Sequence, residues 1–248
     1  MSREVVDFGF RDVAPAEKRR LVDQVFAGVA ARYDLMNDLM SLGLHRLWKR
    51  HFVATLGIRP GMRVLDLAAG SGDVAALIAP RLRPGGEVVL ADRSLPMLGR
   101  GRDRMLDEGF WEQAAAVAAD AEALPFPDRS FDRVTIAFGL RNVADRARAL
   151  AEAFRVLKIG GTLGVLEFSR LRIPALAPLY ELHAFAVLPA LGRLVVGDDA
   201  PYRYLAESIR RHPDQEALAR MLAEAGFSGV RVRNLAGGIV AIHTGVRA

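Results

Sequence analysis

The chain has 248 residues, 51% of them hydrophobic and 25% charged, with 34 Lys+Arg against 29 Asp+Glu for a net charge of +5. This is ordinary globular composition, long enough to bury a sizeable core in one or two domains, and it excludes a disordered chain. Cysteine is absent, which excludes a disulfide framework, thiolate catalysis and Cys-ligated zinc or iron–sulfur.

Met1 to Phe10 mixes charge with apolar residues and carries no signal-peptide core. Residues 15–56 read as helical. Leu21, Val22, Val25, Phe26 and Val29 form one apolar stripe, and Leu44, Leu47, Trp48 and Phe52 form another. Arg46, Lys49 and Arg50 are then expected on the outer face. From Ile58 the pattern alternates between strands and helices. Strands are expected at Arg63–Leu67, Glu87–Asp92, Ala115–Ala119 (weakly), Phe131–Phe138 and Thr162–Phe168. Helices are expected from Asp73, over Pro96–Glu108 and over 146–158, with Gly160-Gly161 as the stop of the last.

Residues 170–211 read as irregular, apolar and proline-punctuated. The run Ile173–Leu191 holds three prolines, Glu181 and His183. A membrane-spanning helix needs about 20 nearly uninterrupted apolar residues, so no span is expected and a cytoplasmic protein is. Helix 214–225 stops at Gly226. Gly229–Asn234 and Ile239–Thr244 make a hairpin around Gly237-Gly238. The whole predicts a doubly wound α/β sheet, mostly parallel, closed by an antiparallel pair.

Strand one runs into a glycine turn, Asp66-Leu-Ala-Ala-Gly70-Ser71-Gly72, that opens a helix. Glycines there let a ligand approach the backbone, and the helix start offers free N–H groups. Asp92 ends strand two, 20 residues after Gly72, where a ribose-binding acid belongs. These features fit both NAD and S-adenosylmethionine (SAM). Asp73 tips the balance, because at the helix start it would repel a pyrophosphate, whereas SAM has none. Asp120, after strand three, falls at the crevice beside the strand-order switch.

Three longer segments carry a resemblance. They are Tyr33-Asp-Leu-Met-Asn-Asp-Leu-Met-Ser-Leu-Gly-Leu-His45-Arg-Leu-Trp48, then Phe138-Gly-Leu-Arg141-Asn142-Val143 with Leu166-Glu-Phe-Ser169, then Tyr202-Arg-Tyr-Leu-Ala-Glu-Ser-Ile209. With them, nearly the whole chain resembles the ubiquinone/menaquinone biosynthesis C-methyltransferases, class I SAM-dependent enzymes. The resemblance implies a Rossmann-like fold with a seven-stranded, mostly parallel sheet and an antiparallel final strand. It implies one domain over 1–248: an N-terminal helical extension (1–57), a SAM-binding core (58–169), a cover over the acceptor site (170–211) and a C-terminal helix with a strand pair (212–248).

The reaction implied is methyl transfer from SAM to a ring carbon of a polyprenylated quinol, either 2-polyprenyl-6-methoxy-1,4-benzoquinol or demethylmenaquinol. Cofactor contacts are implied at Asp66, Gly70, Ser71, Gly72, Asp92, Arg93, Asp120, Ala121 and Ala137. Relatives often have Ser at the last position, so Ala137 offers only backbone. Arg141 and Asn142 are implied on the substrate, with Tyr33 and His45 behind them. A guanidinium stays protonated above pH 12, so Arg141 is expected to stabilise a quinol oxyanion or to fix a water, not to act as the base. No metal is implied.

A nicotinamide oxidoreductase is disfavoured by Asp73 and the antiparallel ending, and a nucleic-acid module lacks any recognition element. A methyltransferase for another small apolar acceptor is the remaining alternative. The partners expected are the polyprenyl quinol, other quinone-biosynthesis enzymes and an anionic membrane surface met peripherally through Arg46, Lys49 and Arg50. A homodimer is left open, and no nucleic acid is expected.

Overall fold

The computed structural model describes residues 5–29, 37–38, 41, 43–176 and 200–248. Its centre is a seven-stranded sheet. The strands in chain order are β3 (Arg63–Leu67), β4 (Glu87–Asp92), β5 (Ala114–Ala118), β6 (Phe131–Ala137), β7 (Leu157–Phe168), β8 (Ser228–Leu235) and β9 (Val240–Val246). Their spatial order is β5-β4-β3-β6-β7-β9-β8. β3 to β7 pair in parallel, and β9 runs antiparallel between β7 and β8. The order reverses between β4 and β6 on either side of β3, and in such sheets the ligand crevice lies outside the strand ends at that switch.

Alternation along the strands builds two cores. Leu65 and Leu67 with Val89 and Ala91 face one side, where α5 (Arg146–Val156) and α7 (Gln215–Glu224) cover them through Leu150, Ala153, Leu218 and Leu222. Val64 with Val88 and Leu90 faces the other, under α2 (Leu44–Thr55), α3 (Asp73–Ile78) and α4 (Leu95–Asp107). Asp66 shares the face of Val64, so its carboxyl is directed towards the α2 and α3 side. The N-caps are chemical: Asp145 accepts from the Arg148 N–H at 2.9 Å and Asp214 from the Ala217 N–H at 2.8 Å.

One element was not foreseen, and two expectations need correction. Residues 6–13 form a small antiparallel hairpin, β1 (Val6–Phe8) and β2 (Arg11–Val13), whose strands are too short to show periodicity. Phe8 stacks on Tyr204 at 4.4 Å, which docks the hairpin on the body. Among the described residues of 15–56, the expected helices include α1 (Pro15–Val29) and α2, and Gly43 at φ 74° caps the latter. Gly160-Gly161 is not a helix stop. α5 ends at Val156, and the glycines lie in an irregularity of β7, between the pairs Phe131↔Leu157 and Arg133↔Thr162. Finally, 170–211 is not irregular throughout: α6 (Ala200–Arg211) buries Tyr202, Tyr204, Leu205, Ala206 and Ser208.

The apolar stripe of α2 is also rotated from expectation. Leu44 and Leu47 are exposed, while His45, Lys49, Phe52 and Val53 are buried. Two carboxylates decide this. Asp38 receives the His45 ring at 2.9 Å, and Asp73 receives the Lys49 ammonium at 2.5 Å. Residues 177–199, including His183 and most of the expected cover, lie outside the described residues. No described helix is long and apolar enough to cross a membrane.

Candidate active site

A cleft opens at the carboxyl ends of β3, β4 and β6, at the strand-order switch. Its cavity volume is about 110 Å³. Its walls include Gly70, Asp92, Arg93, Asp120, Ala121, Ala137 and Asn142. Arg19, Val22 and Asp23 of α1 close one side. A smaller recess of about 20 Å³ shares Ala68, Gly70 and Ala137 with it and adds Lys49, Asp66, Ser71 and Asp73. The two spaces therefore flank the glycine turn.

The turn is held open by backbone geometry. Gly70 and Gly72 both have positive φ, 54° and 77°. A Cβ on Gly72 would meet the Gly101 Cα at 3.0 Å, so α4 packs against the turn only because no side chain is there. Ala68 and Phe138, at the ends of β3 and β6, also have positive φ, 55° and 56°. A Cβ on Gly139 would come within 2.5 Å of the Ala68 Cβ, so the two strand ends are in close apposition. Such strain costs roughly 1–3 kcal/mol per residue and clusters at binding sites.

Asp92 is fixed from both sides. Its Oδ2 accepts from the Gly70 N–H and its Oδ1 from the Ser94 N–H, each at 2.8 Å. Burial holds its carboxyl above the usual range, against these hydrogen bonds. Each oxygen keeps lone-pair capacity towards the cleft, as a vicinal diol requires. Asp120 caps its own turn through the Glu122 N–H at 3.0 Å and pairs with Arg93 at 2.8 Å. Arg93 also reaches Asp23 of α1 at 2.9 Å, and Arg19 of α1 pairs with Glu122. Ion pairs thus lash α1 along the rim.

In the recess, Asp66 is 1% exposed. Its Oδ1 accepts from the Thr135 hydroxyl at 2.7 Å, and its Oδ2 has no hydrogen-bond partner. Burial pushes this carboxyl up to about 7, against the pull of the Thr135 hydroxyl and the Lys49 charge. Asp73 carries Lys49 on one oxygen and Arg104, at 3.0 Å, on the other. The expectation that Asp73 repels a pyrophosphate therefore loses its force, because two cations neutralise it. The donor set does fit SAM: a diol acceptor at Asp92, a backbone cradle at Gly70 and Gly72, and both signs of charge in the recess for a zwitterion.

Of the residues expected on the substrate, Asn142 lines the cleft and accepts a hydrogen bond from the Tyr204 hydroxyl at 3.0 Å. Arg141 does not line it. Its guanidinium is buried, 2.9 Å from Glu167 and against the Phe138 carbonyl, with its carbon 5.5 Å from the centre of the Phe168 ring. His45 lines a separate outer cleft with Arg46, Lys49 and Asp73. Tyr33 lies outside the described residues. The basic outer patch of α2 is corrected: Arg46 is bound to Asp38 at 2.7 Å, and Lys49 points inward to Asp73. Sequence reading missed Lys49, Glu167, Tyr204 and the α1 rim. Lys49 had a signal as one of three lysines among 34 basic residues, and Glu167 and Tyr204 lie in the segments that carry the resemblance.

Comparison with known proteins gives the family and the fold. The chain is 56% identical over 240 residues to the ubiquinone/menaquinone biosynthesis C-methyltransferase UbiE of Xylella fastidiosa (strain 9a5c), covering 97% of this chain and 95% of that one. It is 55% identical, with the same coverage, to the protein of that name from Stenotrophomonas maltophilia (strain R551-3). Among solved structures, a SAM-dependent methyltransferase from Thermotoga maritima matches with a TM-score of 0.64 at 21% identity, over 92% of this chain and all of that one. One from Aquifex aeolicus matches with a TM-score of 0.57 at 16% identity, over 95% of this chain. These two speak to the fold. The glycine turn, the paired acids and the antiparallel β9 all fall inside residues 13–247, which match the family described as ubiE/COQ5 methyltransferases, and the chain belongs to that family.

Proposed function

We propose that this chain transfers the methyl group of SAM to a ring carbon of a polyprenylated quinol, a benzoquinol or a naphthoquinol. The observation that carries this reading is the 56% identity to a named ubiquinone/menaquinone C-methyltransferase across 97% of the chain. SAM supplies an electrophilic methyl group on a sulfonium. Asp92 takes the ribose hydroxyls, Asp120 and the Ala121 backbone take the adenine, and Ser71 and Asp66 meet the amino-acid end. The Ala137 backbone lines the passage between cleft and recess.

The acceptor is an electron-rich ring whose hydroxyl ionises. Its ortho carbon forms the new C–C bond as the methyl–sulfur bond breaks, and then loses its own hydrogen as a proton. The protein must align three atoms and stabilise an oxyanion. Asn142, at the cleft wall with its carbonyl held by Tyr204, presents its amide N–H to such an oxygen. The buried Arg141–Glu167 pair holds the turn that carries Asn142, a role that needs no proton transfer. Trp48, Phe138 and Phe168 form an aromatic cluster with centroids 4.8–6.5 Å apart, a surface suited to a ring.

We take the lipid acceptor to be met at a membrane surface, or in hand-over from another enzyme of the same biosynthesis. Exposed Leu44 and Leu47 beside Arg50 support the first. The test is the quinone content of a strain lacking the enzyme. Complementation by this chain should restore the ring methyl, and accumulation of the unmethylated quinone despite expression would overturn the reading.

A further inference from the structure

The recess beside the glycine turn is built partly from outside the sheet. Lys49 comes from α2 of the N-terminal extension, 24 residues before its partner Asp73. Its side chain is 9% exposed, and it lines the recess together with Asp66 and Ser71. Three features make it more than a structural ion pair. Asp73 has a second cation, Arg104 at 3.0 Å, so its charge stays balanced if Lys49 shares its ammonium elsewhere. An ammonium has three donors, and Asp73 is the one described hydrogen-bond acceptor of this one. Asp66, with one buried carboxyl oxygen that has no hydrogen-bond partner, lines the same recess.

A recess with one acid oxygen awaiting a donor and one cation with donors to spare is complementary to an α-amino acid zwitterion. We propose that Lys49 binds the carboxylate at the amino-acid end of the cofactor, so that the N-terminal extension completes the cofactor site. This rests on the methyltransferase reading above. Asp66 then faces the ammonium, and the two groups read the zwitterion by sign. Folding of the extension and full cofactor affinity become linked, because a chain without a docked α2 lacks the partner of the carboxylate.

The test is a ligand-by-protein cycle read by titration calorimetry, with no turnover needed. The ligands are SAM and decarboxylated SAM, which differ only by the carboxylate. The proteins are the wild type, Lys49→Met, which keeps the aliphatic stem, and Lys49→Arg, which keeps the charge. A charge-assisted hydrogen bond predicts that the wild type prefers SAM about tenfold or more. Lys49→Met should lose that preference while binding decarboxylated SAM as the wild type does, and Lys49→Arg should regain part of it. If Lys49→Met keeps the full preference, or if both ligands weaken equally in it, Lys49 is not the carboxylate partner. Should Lys49→Met not fold, Lys49→Arg together with the wild-type preference decides: no preference in the wild type overturns the proposal. Failure of the wild type to bind either ligand would instead overturn the methyltransferase reading itself.

Discussion

Arg141 and Glu167 meet at 2.9 Å where β6 and β7 end side by side, and their side chains are only 7% and 1% exposed. Glu167 also accepts from the Arg141 backbone N–H at 3.3 Å, so one carboxylate holds both ends of the residue and thereby the turn that carries Asn142. Removing one member of a buried pair typically costs about 3–5 kcal/mol, because the other charge is left uncompensated. Glu167→Gln, which preserves shape, is expected to lose that much stability in urea denaturation. A loss below about 1 kcal/mol would mean that Arg141 finds another partner.

Asp92 ties the glycine turn to the end of β4 and keeps lone pairs for a ligand. Asp92→Asn retains one acceptor oxygen but places an NH2 against the Gly70 or the Ser94 N–H. Affinity for S-adenosylhomocysteine should fall at least tenfold, as loss of a charge-assisted hydrogen bond predicts. Unchanged affinity by calorimetry would remove Asp92 from the site.

Asp66 makes stability depend on pH in a definite direction. Its carboxyl lies at about 7 in the folded chain, against an ordinary value of 3.8, so the folded state holds the proton longer than the unfolded state does. Its contribution is most favourable below about pH 4, declines as pH rises from there to 7, and stays lost above. Lys49 and Asp73 are the charges that face it, and they pull in opposite directions. Asp66→Asn keeps the acceptor for Thr135 and removes the titration. Its melting temperature relative to the wild type should therefore rise between pH 5 and pH 8 in the ligand-free protein. A difference independent of pH would contradict the assignment.

Tyr204 acts through Asn142. Tyr204→Phe removes a hydrogen bond worth about 1 kcal/mol and frees the amide to rotate. Turnover should fall about fivefold while SAM affinity stays within twofold, a split read by kcat against calorimetric Kd. Equal losses in both would make Tyr204 a general packing residue.

The strands and the glycine turn were legible because they are written locally. A period of two, a helix start and a 20-residue spacing place Asp66, Gly70, Gly72 and Asp92 together before any coordinates. What was not legible depends on pairing across distance. Lys49 looks like a surface residue until Asp73 is beside it, and Arg141 looks like an exposed substrate ligand until Glu167, 26 residues later, buries it. The same holds for α2: Leu44 and Leu47 obey the apolar period, yet two carboxylates turn His45 and Lys49 inward instead. The helix Ala200–Arg211 was hidden by the prolines ahead of it, although Tyr202, Leu205 and Ser208 sit at helical spacing.

The central claim is tested most directly by incubating the purified protein with methyl-deuterated SAM and a short-tailed, chemically reduced benzoquinol, followed by mass spectrometry and NMR of the product. One deuterated methyl on a ring carbon, with an equal amount of S-adenosylhomocysteine formed, is the predicted result. A methyl found on oxygen, or S-adenosylhomocysteine formed at the same rate without the quinol, would contradict it.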